Sequence, residues 1–381
     1  MRTRIACFLF GVFLAILPLV TSRAQTPQPE GTFSTRIIQV EGTPVTLSPD
    51  GQWIAGINGE DTICIWDIAN LDPHCATTGD PIETMSIAWA PDSSAIAFST
   101  GILMANAIDS DIFLFDPTGT LQDLTPPSAQ DGTPVTATPV TSAETLHVVD
   151  TYPAWSPDSA SIAFARTTLK QHITGDVVSD GVVLMHMTRT GDDLQAIATL
   201  SDDPNATITA PSFWLPDDRI VISIMIRARF PEVLLVDLAG DATPGSMFGE
   251  FSGVVVRDAS PDGEMLSLTV LDQIGTGVAA IAETRSGNVT VLDHYQPAAG
   301  LLIDSPPGFS PTGDTVVYRA ILESGFTPVV AIGLDNPIII PLDDATGPQG
   351  TTRTPDWAAN DTILVPFRQT AGDAALLITL P

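Results

Sequence analysis

The residues able to do chemistry are sparse in this chain and do not gather into a motif. Five histidines, His74, His147, His172, His186 and His294, are scattered without HxH or HExxH spacing, so none pairs with another as metal ligands do on one helix or strand. No G-x-S-x-G elbow, Walker-type loop or GxGxxG turn occurs, which removes the usual settings for a nucleophilic serine or a cradled phosphate. Asp109-Ser110-Asp111 and Asp202-Asp203-Pro204-Asn205 are the densest acidic groups. No EF-hand loop or calcium nonapeptide surrounds them, and they read as turn residues. The expectation is no catalytic residue, no metal site and no cofactor. Of three cysteines, Cys7 lies in the apolar N-terminal run, and Cys64 and Cys75 form an even pair without CxxC spacing. In an oxidising compartment they are expected to be bonded.

The bases are the other conspicuous set. The 381 residues carry 45 Asp and Glu against 15 Lys and Arg, a formal charge of −30. The acids are not in excess; the bases are missing, and Lys170 is the only lysine. That balance excludes the phosphate-backbone contacts of a nucleic-acid binder and docking on anionic lipid. A hydrophobic fraction of 44% is ample for a core.

Residues 1–24 read as a signal peptide. Arg2 and Arg4 precede an apolar run from Ile5 to Val20, followed by the small-x-small site Ser22-Arg23-Ala24. The run contains Pro18 and is shorter than the ~20 residues a membrane-crossing helix needs. Cleavage after Ala24 is expected. It leaves an exported protein of the periplasm, cell surface or exterior, without stable membrane insertion. Residues 25–32 read as a linker and 33–381 as one domain.

A phrase recurs through that domain: an apolar residue, Ser-Pro-Asp-Gly or a relative, then an alternating apolar run. The copies centre on Pro49, Pro91, Pro157, Pro216, Pro261 and Pro311, with a degenerate seventh at Trp357-Ala358-Ala359-Asn360-Asp361. Pro sets the first central residue of a tight turn, Asp suits the second, and Gly accepts the left-handed conformation that follows. Each phrase is a hairpin, and further strand-like runs such as Ile63–Asp67 and Asp111–Asp116 complete four strands per unit, the size of a propeller blade. The repeat resembles that of TolB-like and WD-repeat-like exported β-propellers, which carry a W-S-P-D-G hairpin followed by a D-I/L-aromatic-x-x-D strand. The resemblance implies an all-β propeller, without the N-terminal α/β domain that true TolB carries. Seven four-stranded antiparallel blades are expected, with a six-bladed ring as the alternative. They span roughly 43–83, 84–125, 151–203, 208–247, 250–297, 301–345 and 351–381. The run Thr35–Val40 within 33–41 closes the last blade and removes an open edge.

In such a blade, with strands a to d from the axis outwards, the a–b and c–d turns share one face. The b–c and d–a connections share the other. The long segments 100–110, 125–150, 167–180 and 227–232 all fall on the second face, where binding loops would sit. Arg166, Arg227, Arg319 and Arg368 lie near the ends of b strands, Lys170 and Arg229 in b–c loops, and Arg257 and Arg353 at the start of a strands. These eight residues are expected to form a positive mouth on an acidic disc. The chain then reads as a monomeric, non-catalytic scaffold binding a protein partner or a small anionic ligand. The alternative is a glycosidase, lyase or lactonase propeller with its site in the channel mouth, for which Asp258 and Asp304 are the candidate inner acids.

Overall fold

The computed structural model describes residues 33–101, 109–125, 144–172, 177–226, 230–244, 248, 251–271, 277–292, 301–303, 305–322, 327–334, 337–341, 354–369 and 372–381. The residues before 33, which contain the expected signal and linker, and Asp304 lie outside them.

Seven antiparallel sheets follow one another along the chain. Blade 1 is typical, with strands Thr43–Leu47, Trp53–Ile57, Thr62–Asp67 and Pro73–Thr77 paired in sequence order. Both faces of each inner strand meet a neighbouring blade. This is why the b and c strands read as nearly unbroken apolar runs, such as Ile63-Cys64-Ile65-Trp66, all buried. The cores therefore lie between blades. Leu114 of blade 2 packs with Trp155 and Phe164 of blade 3, and Ile54 and Trp66 of blade 1 pack with Leu364 and Leu377 of blade 7.

Blade 7 has strands Asp356–Trp357, Thr362–Gln369 and Gly372–Thr379, and its outer strand is Ser34–Ile38 from the other end of the domain. Ser34 pairs with Thr379 and Ile38 with Ala375. Seven blades and closure by the N-terminal strand are thus as the repeat predicts. The degenerate seventh phrase still forms the same turn. The residue two after the Pro position has positive φ in every blade: Gly51, Ser93, Ser159, Asp218, Gly263, Gly313 and Asp361, between 57° and 77°.

Two features depart from the sequence reading. Segments 144–150, 167–172 and 177–180, expected as loops, extend strands Glu144–Trp155, Ser161–His172 and Val177–Thr188 of blade 3. Leu169 and Val149 are buried there, and the Ser110 N–H donates to the Val148 carbonyl, so blade 2 also supports the extension. The length of the connections between strand runs marked these segments as loops, but their apolar residues and cross-strand pairing extend the strands. Secondly, the a strands of blades 4 and 6 are split, Thr207–Ile208 from Phe213–Trp214 and Leu301–Ile303 from Gly308–Phe309. Pro211 falls in one gap, and Pro306 and Pro307 in the other.

Candidate functional site

The recurrent phrase builds the wall of the axis. In blade 1 the Ser48 hydroxyl accepts the Trp53 N–H at 2.9 Å and donates to Asp50 at 2.6 Å. Ser156 with Asp158 and Ser260 with Asp262 repeat the arrangement. The Ser156 and Ser260 hydroxyls hold the Asp158 and Asp262 carboxyls below the ordinary carboxylate range. The turns then lock to one another. The Asp50 N–H donates to Ser93 Oγ at 3.0 Å, the Asp92 N–H to Ser159 Oγ at 3.1 Å, and the Ala359 N–H to the Pro49 carbonyl at 2.8 Å. At Gly51 a Cβ would fall 2.1 Å from the Asn360 side chain, so at the junction of blades 7 and 1 glycine makes room for Asn360, while the same φ is held by Ser or Asp in four other blades.

Inside this ring lies a cavity of about 530 Å³, lined by strand-a residues of six blades. Trp89, Trp155, Phe213 and Trp214 make much of its wall, and the turn residues Pro49, Pro91, Pro157, Pro216 and Pro261 mark its end at the turn face. Thr84, Met85 and Arg257 also line it, and Arg257 is the fifth of the seven residues of strand Gly253–Ala259, four before Pro261, not at the strand's start where the sequence reading put it. Arg257 occupies a β-bulge between Val256 and Asp258, which lets two successive residues, Arg257 and Asp258, both reach the cavity. Arg257 Nε donates to Thr269 Oγ1 at 3.0 Å. Burial lowers its pKa, and a charge on nearby Tyr152 would oppose that. Tyr152 itself is pushed up to about 12 by burial, with the Glu83 carboxylate adding to the rise. It sits at φ 53°, a left-handed conformation uncommon for an aromatic residue. Among the described residues no carboxylate forms an ion pair with Arg257.

Two aspartates also line the cavity. Asp258 accepts the Phe309 N–H of the next blade at 3.0 Å and its neighbour Ala259 N–H at 2.8 Å. Burial raises its pKa to about 7, and Asp356 adds to the rise. Asp356 accepts the Leu47 N–H of blade 1 at 2.9 Å. Both carboxylates stand three residues before the turn position and join one blade to the next. The sequence pointed to Asp258 as inward. Asp356 was legible only by aligning the degenerate seventh phrase with the fifth.

The eight expected bases are not all at this mouth. Arg166 makes a two-pronged bond to fully buried Asp150 at 2.7 and 2.6 Å, beneath the blade surface, and lies 5.5 Å from the Phe164 ring centre. Lys170 pairs with Asp180 at 2.7 Å on the blade 3 extension. Arg319 is completely buried in strand Val316–Leu322. Arg368 faces Asp373 in the register of blade 7, with its side chain outside the described set. Arg227, Arg229 and Arg353 lie outside the described residues. Of the described bases in the set, Arg257 alone lines the cavity.

Cys64 and Cys75 are joined across strands c and d of blade 1, S–S 2.02 Å. The Asp109 carboxylate takes His147 Nδ1 at 3.2 Å and the Val148 N–H at 3.1 Å. Among the described residues no three His, Cys, Asp or Glu side chains are placed to share a metal. Within the same residues no helix is long and apolar enough to cross a membrane.

No family model and no curated protein sequence matches the chain. Solved structures do. An oligogalacturonate lyase in complex with manganese superposes with a TM-score of 0.59 over 92% of this chain and 98% of that one, at 11% identity. TolB from Acinetobacter baumannii gives 0.47 over 84% and 68% at 20% identity. The β-propeller domain of Cps50 from Myceliophteria thermophila gives 0.47 over 91% and 98% at 12%. The likeness is one of fold. At these identities a propeller's chemistry is decided by its own axial residues.

Proposed function

We propose that this protein is an exported, non-catalytic propeller scaffold that binds a small anionic ligand in the axial cavity. The reading rests on Arg257. A half-buried guanidinium on a largely aromatic wall, with a threonine hydroxyl as its described side-chain partner, supplies directed donors for a carboxylate, sulfate or phosphate group. Trp89, Trp155 and Trp214 supply apolar contact for the body of that ligand, the usual division of labour in a small-molecule site. A protein partner carrying an acidic segment would use the same donors.

The catalytic alternative has less support. A channel enzyme of the glycosidase type needs two carboxylates free to face one bond. Asp258 and Asp356 instead each accept a backbone N–H from the following blade.

Two measurements test the proposal. Thermal melting of the mature chain against a panel of carboxylates, sulfates and phosphates is expected to show one class whose stabilisation grows with the logarithm of its concentration, to about 2.7 kcal/mol at a hundredfold excess over its dissociation constant. A panel that leaves the melting temperature unmoved contradicts anion binding. For the address, N-terminal sequencing of the cell-derived protein is expected to begin at Gln25, and retention of Met1 contradicts export by cleavage.

A further inference from the structure

The wall of the axial cavity carries Arg257, Asp258 and Asp356, and the hairpin turns surround its end at the turn face. Each of the seven a–b turns carries at least one carboxylate and none carries Lys or Arg. Asp92 is paired with Arg189 at 3.4 Å and Asp217 with Arg219 at 2.7 Å, from outside the turns themselves. Asp50, Asp158, Asp262 and Asp361 have no cationic partner among the described residues. Asp158 and Asp262 are fixed towards the rim by serine hydroxyls and backbone N–H groups, which keep them ionised throughout the neutral range. Within this collar the cavity mouth is apolar, formed by the turn prolines with Trp89, Trp155 and Trp214 behind them. Several turns are also tied down, because Asp50, Asp92, Asp158 and Asp262 are bonded within their own hairpins and the hairpins of blades 7, 1, 2 and 3 are bonded in series.

We propose that the turn face is a docking surface for a cationic segment of a partner protein, with apolar side chains entering the axial cavity and Lys or Arg side chains meeting the collar of turn carboxylates. Charge complementarity selects the occupant. An apolar cavity ringed by fixed negative charge attracts an amphipathic cationic strand or loop and repels acidic ones, by long-range steering as well as contact. It shares Trp89, Trp155 and Trp214 with the anion site and differs from it in the charged groups it uses, the turn carboxylates in place of Arg257.

The test uses the mature chain and a fluorescent pentapeptide alternating lysine with tryptophan, followed by anisotropy. The counterpart alternates glutamate with tryptophan. The lysine peptide is expected to bind at low salt, about 50 mM, and to weaken steeply as salt rises, because the contacts are exposed to screening. The glutamate peptide is expected not to bind. Combining Asp50→Asn, Asp158→Asn and Asp262→Asn keeps an acceptor for each turn while removing three charges, and is expected to weaken binding about tenfold. Asp80→Asn, Asp109→Asn and Asp180→Asn remove the same charge from the opposite face and are expected to leave it unchanged. Melting curves of both triple variants establish that they fold. Absence of lysine-peptide binding, equal binding of the glutamate peptide, or equal weakening by the two triple variants overturns the proposal. So does saturable calcium binding that depends on the turn aspartates in the absence of peptide binding.

Discussion

Asp356 in the innermost strand of blade 7 accepts the backbone N–H of Leu47 in blade 1 at 2.9 Å, so one carboxylate joins the last blade to the first. Asp258 does the same between blades 5 and 6, through the Phe309 N–H. Strand a has a sheet partner on one side only, which leaves alternate backbone groups facing the axis, and these side chains take up two of them. Replacing Asp356 by alanine leaves the Leu47 N–H without that acceptor, a loss of about 1–3 kcal/mol. Chemical denaturation of Asp356→Ala is expected to show a lowered midpoint; an unchanged midpoint removes this bond from the account.

Ring closure also depends on the strand Ser34–Ile38. Four of its five residues are exposed, but Ile38 is buried in the core shared by blades 7 and 1. Deleting residues 33–41 exposes the edge of strand Gly372–Thr379 and removes the Ile38 side chain, whose burial alone contributes about 1.5–3 kcal/mol. The truncated chain is expected to melt at a markedly lower temperature and to aggregate more readily. A truncation that melts like the full chain contradicts closure by this strand.

The repeat made most of this architecture legible before any coordinates. Pro-Asp-Gly dictates its own turn geometry, and buried b and c strands must be apolar on both faces. The site was harder to read. Charge and position placed Arg166 and Arg257 in one class, yet Arg166 lies opposite Asp150 in the register of a paired strand and is consumed by it. Arg257 escapes that fate because a bulge at Val256 re-aims the chain. Neither a cross-strand register nor a bulge is written in local composition. The extension of blade 3 was missed for a similar reason, since its strands are held by long-range pairing rather than propensity.

Stability should also depend on pH in a specific direction. Burial raises the carboxyls of Asp258 and Asp111 to about 7, with Asp123, Asp150, Asp109 and Asp80 adding to the shift at Asp111. Both groups hold their proton more tightly folded than unfolded. Their stabilisation is therefore complete below the ordinary carboxyl value of about 4 and is lost as pH rises to about 7. Asp158 and Asp262, lowered by their serine partners, act oppositely, and their contribution is lost as pH falls below about 4. The melting temperature is expected to peak on the acid side of neutrality and to decline between pH 5 and 7, by the linkage of raised carboxyls. Asp111→Asn is expected to flatten that decline; a variant with the wild-type slope contradicts the assignment.

The claim that this propeller binds an anion at Arg257 is tested most directly by calorimetric titration of wild type and Arg257→Gln with the ligand class that stabilises the mature chain. Loss of a half-buried charged donor costs about 2–5 kcal/mol in comparable sites, so the account predicts affinity at least about thirtyfold weaker in the variant, with an unaltered fold. Equal affinity in the two proteins would contradict it.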